Sequence, residues 1–131
     1  MTKLLTLVVA MSLLTWFSLM VATTIRGRTW SLPQLLVALG NRDNASAPSV
    51  LAARADRAAE NTKENFILFT ALALTAAIAG LNTPRIELGA QVFVIARLVY
   101  LPLYVVGVPY VRSLAWGVGI AGLGMMVSGL L

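Results

Sequence analysis

Arg97, Tyr100 and Tyr104 are the residues of this chain whose types and spacing best suit chemistry. The tyrosines follow the arginine at i+3 and i+7, so a helix carries all three side chains on one face. Guanidinium and phenol groups donate hydrogen bonds, and a row of such donors can recognise an anionic ligand or stabilise an oxyanion or a thiolate. The same spacing also fits a structural role, in which Arg97 pairs with a carboxylate to fix helix register and the tyrosines lie at a membrane interface.

Arg57, Asn61 and Glu64 form a second polar stripe. At ~100° per residue these side chains fall within roughly 60° of one another on a helix. They stand where a charged segment passes into an uncharged apolar one. A cation, an amide and a carboxylate would therefore line up at the point where the helix enters a membrane. Taken alone, the stripe is also typical of a solvated helix face.

The composition excludes several kinds of site. The 131 residues include no Cys and no His, which removes disulfides, thiolate nucleophiles and imidazole bases. The usual zinc sites and haem held by His or Cys are excluded for the same reason, and no metal site is expected. Any chemistry must come from Arg, Tyr, Ser, Asn and carboxylates, or from a bound cofactor.

The bulk composition is that of a small integral membrane protein. Hydrophobic residues make up 59% of the chain and charged residues 11%, whereas a soluble domain has ~25% charged residues. The mean hydropathy is +0.85. A net charge of +5 could indicate nucleic acid, but the arginines are scattered rather than clustered. Positive charge at the cytoplasmic face of a membrane is the better interpretation, and no nucleic-acid partner is expected.

The pattern of apolar runs predicts an all-α protein, a four-helix membrane bundle with a single domain over residues 1–131. Good helix formers run unbroken from a charged half into an uncharged one, so a cytoplasmic helical extension, residues 49–65, should continue into lipid. Ser49 can cap this helix. Residues 110–113 are expected to form a very short connection between antiparallel neighbours. The four predicted spans cover residues 4–25, 66–81, 86–106 and 113–131.

The first apolar run also resembles a signal peptide, because it follows a short basic start. As a helix it would be ~33 Å long, enough to cross a hydrocarbon core ~30 Å thick and too long for a signal sequence. Arg26 and Arg28 follow at once, so we expect an uncleaved span. Residues 32–39 are apolar but too short to cross and should lie at the interface or against the bundle. The glycosylation motif at Asn44 would fall in an exposed cytoplasmic turn.

Charge asymmetry predicts the orientation in the membrane. Four spans place both termini on one side. The connection from Arg26 to Asn65 holds six of the ten basic residues, and Arg112 lies on the same side. The opposite side has Lys3 and Arg85. The positive-inside rule then puts both termini on the non-cytoplasmic side and the two basic connections in the cytoplasm. We expect a multi-pass protein of a bacterial inner membrane; in a eukaryotic cell, the termini would face the lumen.

Arg97 would lie deep in the bilayer, roughly 15 Å from each surface. An arginine that faces lipid at that depth costs about 2.5 kcal/mol or more. The side chain should therefore face the bundle interior, a water-filled cleft or a carboxylate. Glu64 is the nearest candidate partner.

Both stripes resemble signatures of the MAPEG family, the membrane-associated proteins in eicosanoid and glutathione metabolism. The resemblance runs from about Arg54 to Met125, and the order and number of spans agree. Some family members carry Tyr where Asn65 stands. The matching segments are Arg57-x-x-x-Asn61-x-x-Glu64-Asn65 with Phe66-Ile-Leu-Phe69, Ala96-Arg97-Leu-Val-Tyr100-Leu-Pro-Leu-Tyr104, and Pro109-Tyr-Val-Arg112-Ser113.

The resemblance implies a homotrimer of four-helix subunits that binds glutathione as a co-substrate. The tripeptide would lie between neighbouring subunits near the cytoplasmic face. Glu64 would meet its amino group, and Arg57 and Asn61 its carboxylate or backbone. The residues that the resemblance assigns to glutathione binding are Arg57, Asn61, Glu64, Asn65, Tyr100 and Tyr104.

The resemblance also implies how the thiol is activated. Arg112 and Ser113 resemble an Arg-Ser pair placed near the sulfur in prostaglandin E synthases, and with Arg97 they are the expected catalytic residues. A neighbouring guanidinium lowers the pKa of a thiol from its usual ~8.5 by favouring the thiolate. The implied function is a microsomal-type glutathione S-transferase or peroxidase, which attacks lipophilic electrophiles that arrive through the bilayer.

Two other functions stay open at this point. The chain could be a non-catalytic membrane protein that binds lipid or a partner in the same trimer cleft. It could also be a small transporter or channel that uses Arg97 as an anion site, although short spans without an internal repeat are not typical of transporters.

Overall fold

The computed structural model describes residues 2–27, 32–41 and 47–131. Within these ranges the chain forms five α-helices and no strand, which confirms the all-helical class. The glycosylation motif at Asn44 lies outside the described residues, as does Arg28. The helices in chain order are α1 (Lys3–Gly27), α2 (Leu32–Leu39), α3 (Val50–Ile78), α4 (Pro84–Val106) and α5 (Pro109–Leu130).

Three of the described helices, α1, α4 and α5, are long and apolar enough to cross a membrane. Four such helices were predicted, and α3 is the one that differs. Its first half carries the charged residues between Arg54 and Glu64, which lower its mean hydropathy. The short helix α2 accounts for the fifth element and has no buried residue.

Helix α3 is continuous over 29 residues, as the run of good helix formers predicted. Ser49 caps its start, because the side-chain oxygen accepts a hydrogen bond from the backbone N–H of Ala52 at 3.1 Å. The helix ends before Gly80, which adopts a positive φ of 69°. One uninterrupted rod therefore carries both the polar stripe and the apolar residues that follow it.

Helices α4 and α5 are antiparallel and pack closely. A Cβ atom at Gly89 would lie 2.6 Å from the backbone oxygen of Gly122, so the two backbones touch at this point. Small residues at a crossing allow such an approach in membrane helices. Next to it, the rings of Phe69 and Phe93 stack with centroids 4.8 Å apart, which ties α3 to the same core.

The connection between α4 and α5 is shorter than predicted. Residues 110–113 were expected to form it, but they lie in the first turns of α5, which begins at Pro109. Proline is well suited to the first helical position, because its missing N–H would have no partner there. Gly107 ends α4 in the left-handed region, with φ 92°, so the chain reverses over two residues. The fourth apolar segment therefore begins four residues earlier than 113.

Candidate functional site

The polar stripes of α3 and α4 face each other and are joined by two hydrogen bonds. The Arg57 Nε donates to the hydroxyl oxygen of Tyr104 at 3.3 Å. One turn along, the Arg97 Nη1 donates to the Asn61 Oδ1 at 2.8 Å. Because α3 and α4 run in opposite directions, residues later in α3 lie opposite residues earlier in α4. The two stripes predicted separately from sequence thus meet in a single polar cluster, which we call the crevice.

Arg97 is fully buried at the inner end of this crevice. Its guanidinium carbon lies 5.3 Å from the ring centroid of Phe93 and 5.1 Å from that of Tyr100. Both distances fall within the range of cation–π attraction. Among the described residues its Nε and Nη2 have no hydrogen-bond partner. Arg97 is therefore a buried cation with one hydrogen bond and two aromatic faces around it.

The expected partner of Arg97 was Glu64, and this prediction was wrong. The partner is Asn61, and Glu64 is exposed. Glu64 follows Asn61 by three residues, so the two side chains differ by ~60° in direction around the helix. In the part of the chain that the structure describes, no carboxylate forms an ion pair with Arg97.

Arg112 reaches the same crevice from the first turn of α5. Its guanidinium carbon lies 4.4 Å from the centre of the Tyr104 ring, so Arg57 and Arg112 both contact this tyrosine. The Tyr104 ring is tilted by 55° against the Tyr100 ring, with centroids 5.4 Å apart. The two tyrosines thus connect the three arginines in one row. Ser113 is exposed, and its hydroxyl donates to the Pro109 carbonyl at 3.1 Å.

Asn65 lies apart from this row. Its side chain is buried, and its Nδ2 donates to the backbone carbonyl of Asn61 at 2.9 Å. A hydrogen bond of this kind turns the amide back onto its own helix. Of the nine residues proposed from sequence, Arg57, Asn61, Arg97, Tyr100, Tyr104 and Arg112 come together in the crevice. Glu64 and Ser113 lie exposed beside it.

Sequence reasoning missed three residues that shape the crevice. Phe93 lies one turn before Arg97, and its ring lies against the Arg97 guanidinium. Side chains four residues apart on a helix are neighbours, so this contact could have been predicted from the spacing. Gly119 faces Arg97 across α5, because a Cβ there would lie 3.6 Å from the Arg97 Nε. The Arg54 Nη1 donates to the carbonyl oxygen of Val106 at 3.4 Å and closes the outer end. No local sequence signal marks Arg54, since the contact bridges 52 positions.

The charge of the crevice is positive. Within residues 2–27, 32–41 and 47–131, the ion pairs are Lys3 with Glu87, Arg26 with Asp56, and Lys63 with Glu60. None of them involves an arginine of the crevice. Guanidinium groups without carboxylate partners, held next to phenol hydroxyls, are suited to an anionic ligand. The described residues contain no cluster of three or more Asp or Glu that could hold a metal ion.

Comparisons with known proteins agree with the motifs. The model of the MAPEG family matches residues 4–131, which is nearly the whole chain. Searches against curated proteins and against solved structures each gave no match.

Proposed function

Because the chain belongs to the MAPEG family, we propose that it is a glutathione-dependent membrane transferase or peroxidase that acts on lipophilic electrophiles. Members of this family are membrane proteins and generally use glutathione. The observation that carries the proposal is the crevice in which Arg57 and Arg112 meet on Tyr104 while Arg97 holds Asn61.

The residues of the α3 stripe fit the groups of glutathione. Arg57 and the Asn61 amide can donate to a carboxylate or a peptide carbonyl, and exposed Glu64 can accept from an ammonium group. From Arg57 to Glu64 the helix rises ~10 Å. An extended tripeptide is also ~10 Å long. Glutathione lying along α3 would therefore present its charged ends to side chains of the opposite sign.

Arg112 is the residue proposed to activate the thiol. Glutathione supplies a thiol that is nucleophilic as the thiolate, and a guanidinium beside the sulfur lowers the thiol pKa by stabilising that form. In a transfer reaction the sulfur forms a bond to an electrophilic carbon and the leaving group departs. Ser113 follows Arg112 in the first turns of α5, and it is the family resemblance that pairs these two residues near the sulfur. No nucleophile from the chain is needed.

The membrane arrangement is part of the proposal. We place the second half of α3, residues 66–78, in the bilayer as a fourth span, because its apolar side chains Ile67, Leu68 and Ile78 are exposed. Four spans and the basic connections then put both termini on the non-cytoplasmic side of a bacterial inner membrane. The family resemblance adds a homotrimer, in which a neighbouring subunit would cover the open side of the crevice beside Glu64.

Titration of the detergent-purified protein with glutathione tests this function. Calorimetry should give saturable binding, and ultraviolet difference spectra should show the thiolate. S-methylglutathione, which has no ionisable thiol, should bind without the spectral change. Protein that gives neither saturable binding nor thiolate absorbance would exclude the function.

A variant pair tests the orientation of the ligand on α3. Glu64→Gln should weaken glutathione binding by about tenfold, because one charge-assisted hydrogen bond to the ammonium group is lost. Glu60→Gln is the matched control, since Glu60 is an exposed carboxylate one turn earlier that pairs with Lys63 at 2.8 Å. Equal losses in both variants would mean that general surface charge, and not a bound ammonium group, is being measured.

A further inference from the structure

We propose that Arg97 is a positioning residue, which fixes the side-chain amide of Asn61 so that its Nδ2 faces the ligand as a donor. Arg97 was expected from sequence to be catalytic. The geometry assigns it a different role, because it reaches the crevice through Asn61. This inference rests on the proposed function, since the ligand that meets Asn61 is there taken to be glutathione.

The direction of the Asn61 amide follows from the chemistry of its partner. A guanidinium carries five N–H donors and no acceptor, so the atom that approaches it must be the amide oxygen. The Arg97 Nη1 lies 2.8 Å from that oxygen, the length of a strong charge-assisted hydrogen bond. A flipped amide would place its NH2 group against the cation. Arg97 therefore excludes one of the two orientations that an asparagine side chain can adopt.

The Asn61 Nδ2 is left available by this arrangement. Asn61 is partly exposed, and its Nδ2 is not among the buried side-chain atoms that lack a partner in the described part of the chain. The Nδ2 also makes no hydrogen bond to any described residue. It therefore has accessible surface and an unused pair of donors on the same stripe as Arg57 and Glu64.

The stripe then displays a fixed pattern: a donor at Arg57, a donor at Asn61 and an acceptor at Glu64. A ligand that satisfies it must place acceptors against the first two residues and a donor against the third. With the amide flipped, an acceptor would stand at Asn61, and an amine could bind there instead. The contact from Arg97 thus sets which end of a zwitterionic ligand lies at which end of α3.

Direct contact between Arg97 and the ligand does not fit its surroundings. The side chain is fully buried, its guanidinium lies against the rings of Phe93 and Tyr100, and Gly119 faces its Nε. Among the described residues, its one hydrogen bond is to the Asn61 side chain. An effect of Arg97 on binding should therefore disappear when the Asn61 amide is removed.

A double-mutant cycle on glutathione binding tests this directly. Asn61→Ala should weaken binding by about tenfold, the loss of one hydrogen bond. Arg97→Met should weaken it by a few fold, because the amide can then rotate. The double variant should bind no more weakly than Asn61→Ala alone. If the two losses multiply instead, Arg97 contacts the ligand itself and the inference is wrong.

Conservative variants separate positioning from a merely structural role. Arg97→Lys keeps a cation that can only donate hydrogen bonds to the Asn61 side chain, so this variant should bind glutathione with near wild-type affinity. Arg97→Gln can either donate or accept, so it should bind as weakly as Arg97→Met. At saturating glutathione, Arg97→Met should keep the thiolate absorbance of the wild type. Loss of that signal at saturation would assign Arg97 to the sulfur and overturn the proposal.

Thermal unfolding without ligand separates this inference from the proposed function. Asn61→Ala should lower the melting temperature of the wild type, because it leaves a buried cation without an acceptor. In the Arg97→Met background the same change should have little effect. If Asn61→Ala lowers the melting temperature equally in the wild-type and Arg97→Met backgrounds, the inference is wrong, whether or not glutathione binds. Wild-type protein that binds no glutathione overturns the proposed function.

Two matched controls belong to these measurements. Arg85→Met changes an exposed arginine on the same helix, and Asn82→Ala changes an exposed asparagine just before that helix. Both lie at the end of α4 remote from Tyr104. Neither should change glutathione affinity or the coupling between residues 61 and 97.

Discussion

The two halves of α4 have different roles: the first half packs in the apolar core, and the second half carries the polar residues of the candidate site. In the first half Gly89, Ala90 and Phe93 are buried in an apolar core shared with α1, α3 and α5. In the second half Arg97 and Tyr104 bond to side chains of α3. Lipid is as apolar as a hydrocarbon side chain, so the first half gains stability from close packing rather than from leaving water. The second half leaves the Nε and Nη2 of Arg97 without a partner among the described residues, which is costly for a fold, and places the Arg97 Nη1 on the Asn61 amide that we propose meets the ligand.

Phe93 marks the boundary between the two halves. One face of its ring stacks on Phe69, with an interplanar angle of 11°, and the Arg97 guanidinium lies 5.3 Å from its centre. Changes on the Phe69 side should therefore act on stability. Changes beyond Arg97 should act on binding and thiol activation, with little effect on stability.

The largest effect is expected from Phe69→Ala, which removes a fully buried ring of α3 that stacks on Phe93 in the apolar half of α4. The cavity and the lost stacking should lower the free energy of unfolding by about 3 kcal/mol. Chemical denaturation in detergent micelles measures it. Ile67→Ala is the control, because Ile67 is on the same helix and 63% exposed. If both variants lose the same stability, the contact of Phe69 with Phe93 is not what holds α3 to α4.

Gly122→Ala should have the next largest effect. Its new Cβ would lie 2.7 Å from the Gly89 carbonyl oxygen and 2.9 Å from the Phe93 amide nitrogen, both backbone atoms that cannot rotate away. The helices must separate, at a cost of about 1–3 kcal/mol. Gly124→Ala is the matched control on the same helix, since nothing lies within 4 Å of its Cβ. Gly124→Ala should leave the stability of the protein unchanged or raise it slightly, because alanine favours the helix more than glycine does. Similar melting temperatures for the two variants would contradict the close crossing.

The sequence predicted the elements of both halves better than their contacts. Good helix formers predicted the continuous α3, and the predicted span over residues 86–106 ends where α4 ends, at Val106. The glycines of α5 permit close packing, but nothing in the sequence shows that Gly122 meets a backbone while Gly124 faces open space. That distinction depends on how far α5 is rotated about its axis, which is decided by contacts with residues such as Phe93 that are remote in sequence.

For the site residues too, the sequence predicted which side chains share a helix face but not which residues they contact. Helical spacing brought Arg57, Asn61 and Glu64 onto one stripe, and the structure keeps them there. Which of them would meet Arg97 depended on the register between α3 and α4, and Asn61 rather than Glu64 lies opposite. Packing of the apolar half sets this register, through the contact of Phe69 with Phe93. The spacing of residues within either stripe does not determine the register between the two helices.

Arg112→Ala should change thiol chemistry while leaving stability nearly intact. The guanidinium lies against the Tyr104 ring, and neither residue belongs to the buried apolar cluster. Its loss should raise the pKa of bound glutathione by about one unit, equivalent to about 1.4 kcal/mol of thiolate stabilisation. A pH titration of the thiolate absorbance at saturating glutathione measures this shift. Arg85→Ala, at the other end of α4, should leave the titration unchanged. An unshifted titration in Arg112→Ala would remove Arg112 from the sulfur.

Tyr104→Phe should have the smallest effect. It removes the hydroxyl that accepts from Arg57 at 3.3 Å and keeps the ring on which Arg112 lies. One neutral acceptor contributes about 1 kcal/mol or less, so glutathione affinity should fall by roughly threefold. Tyr104→Leu removes the ring as well and should bind more weakly, because Arg112 then loses its support. Both variants should unfold at the wild-type temperature, since Tyr104 lies outside the apolar core. A large loss of stability in Tyr104→Phe would show that the polar half of α4 holds the fold together, and the division between the two halves would then have to be abandoned.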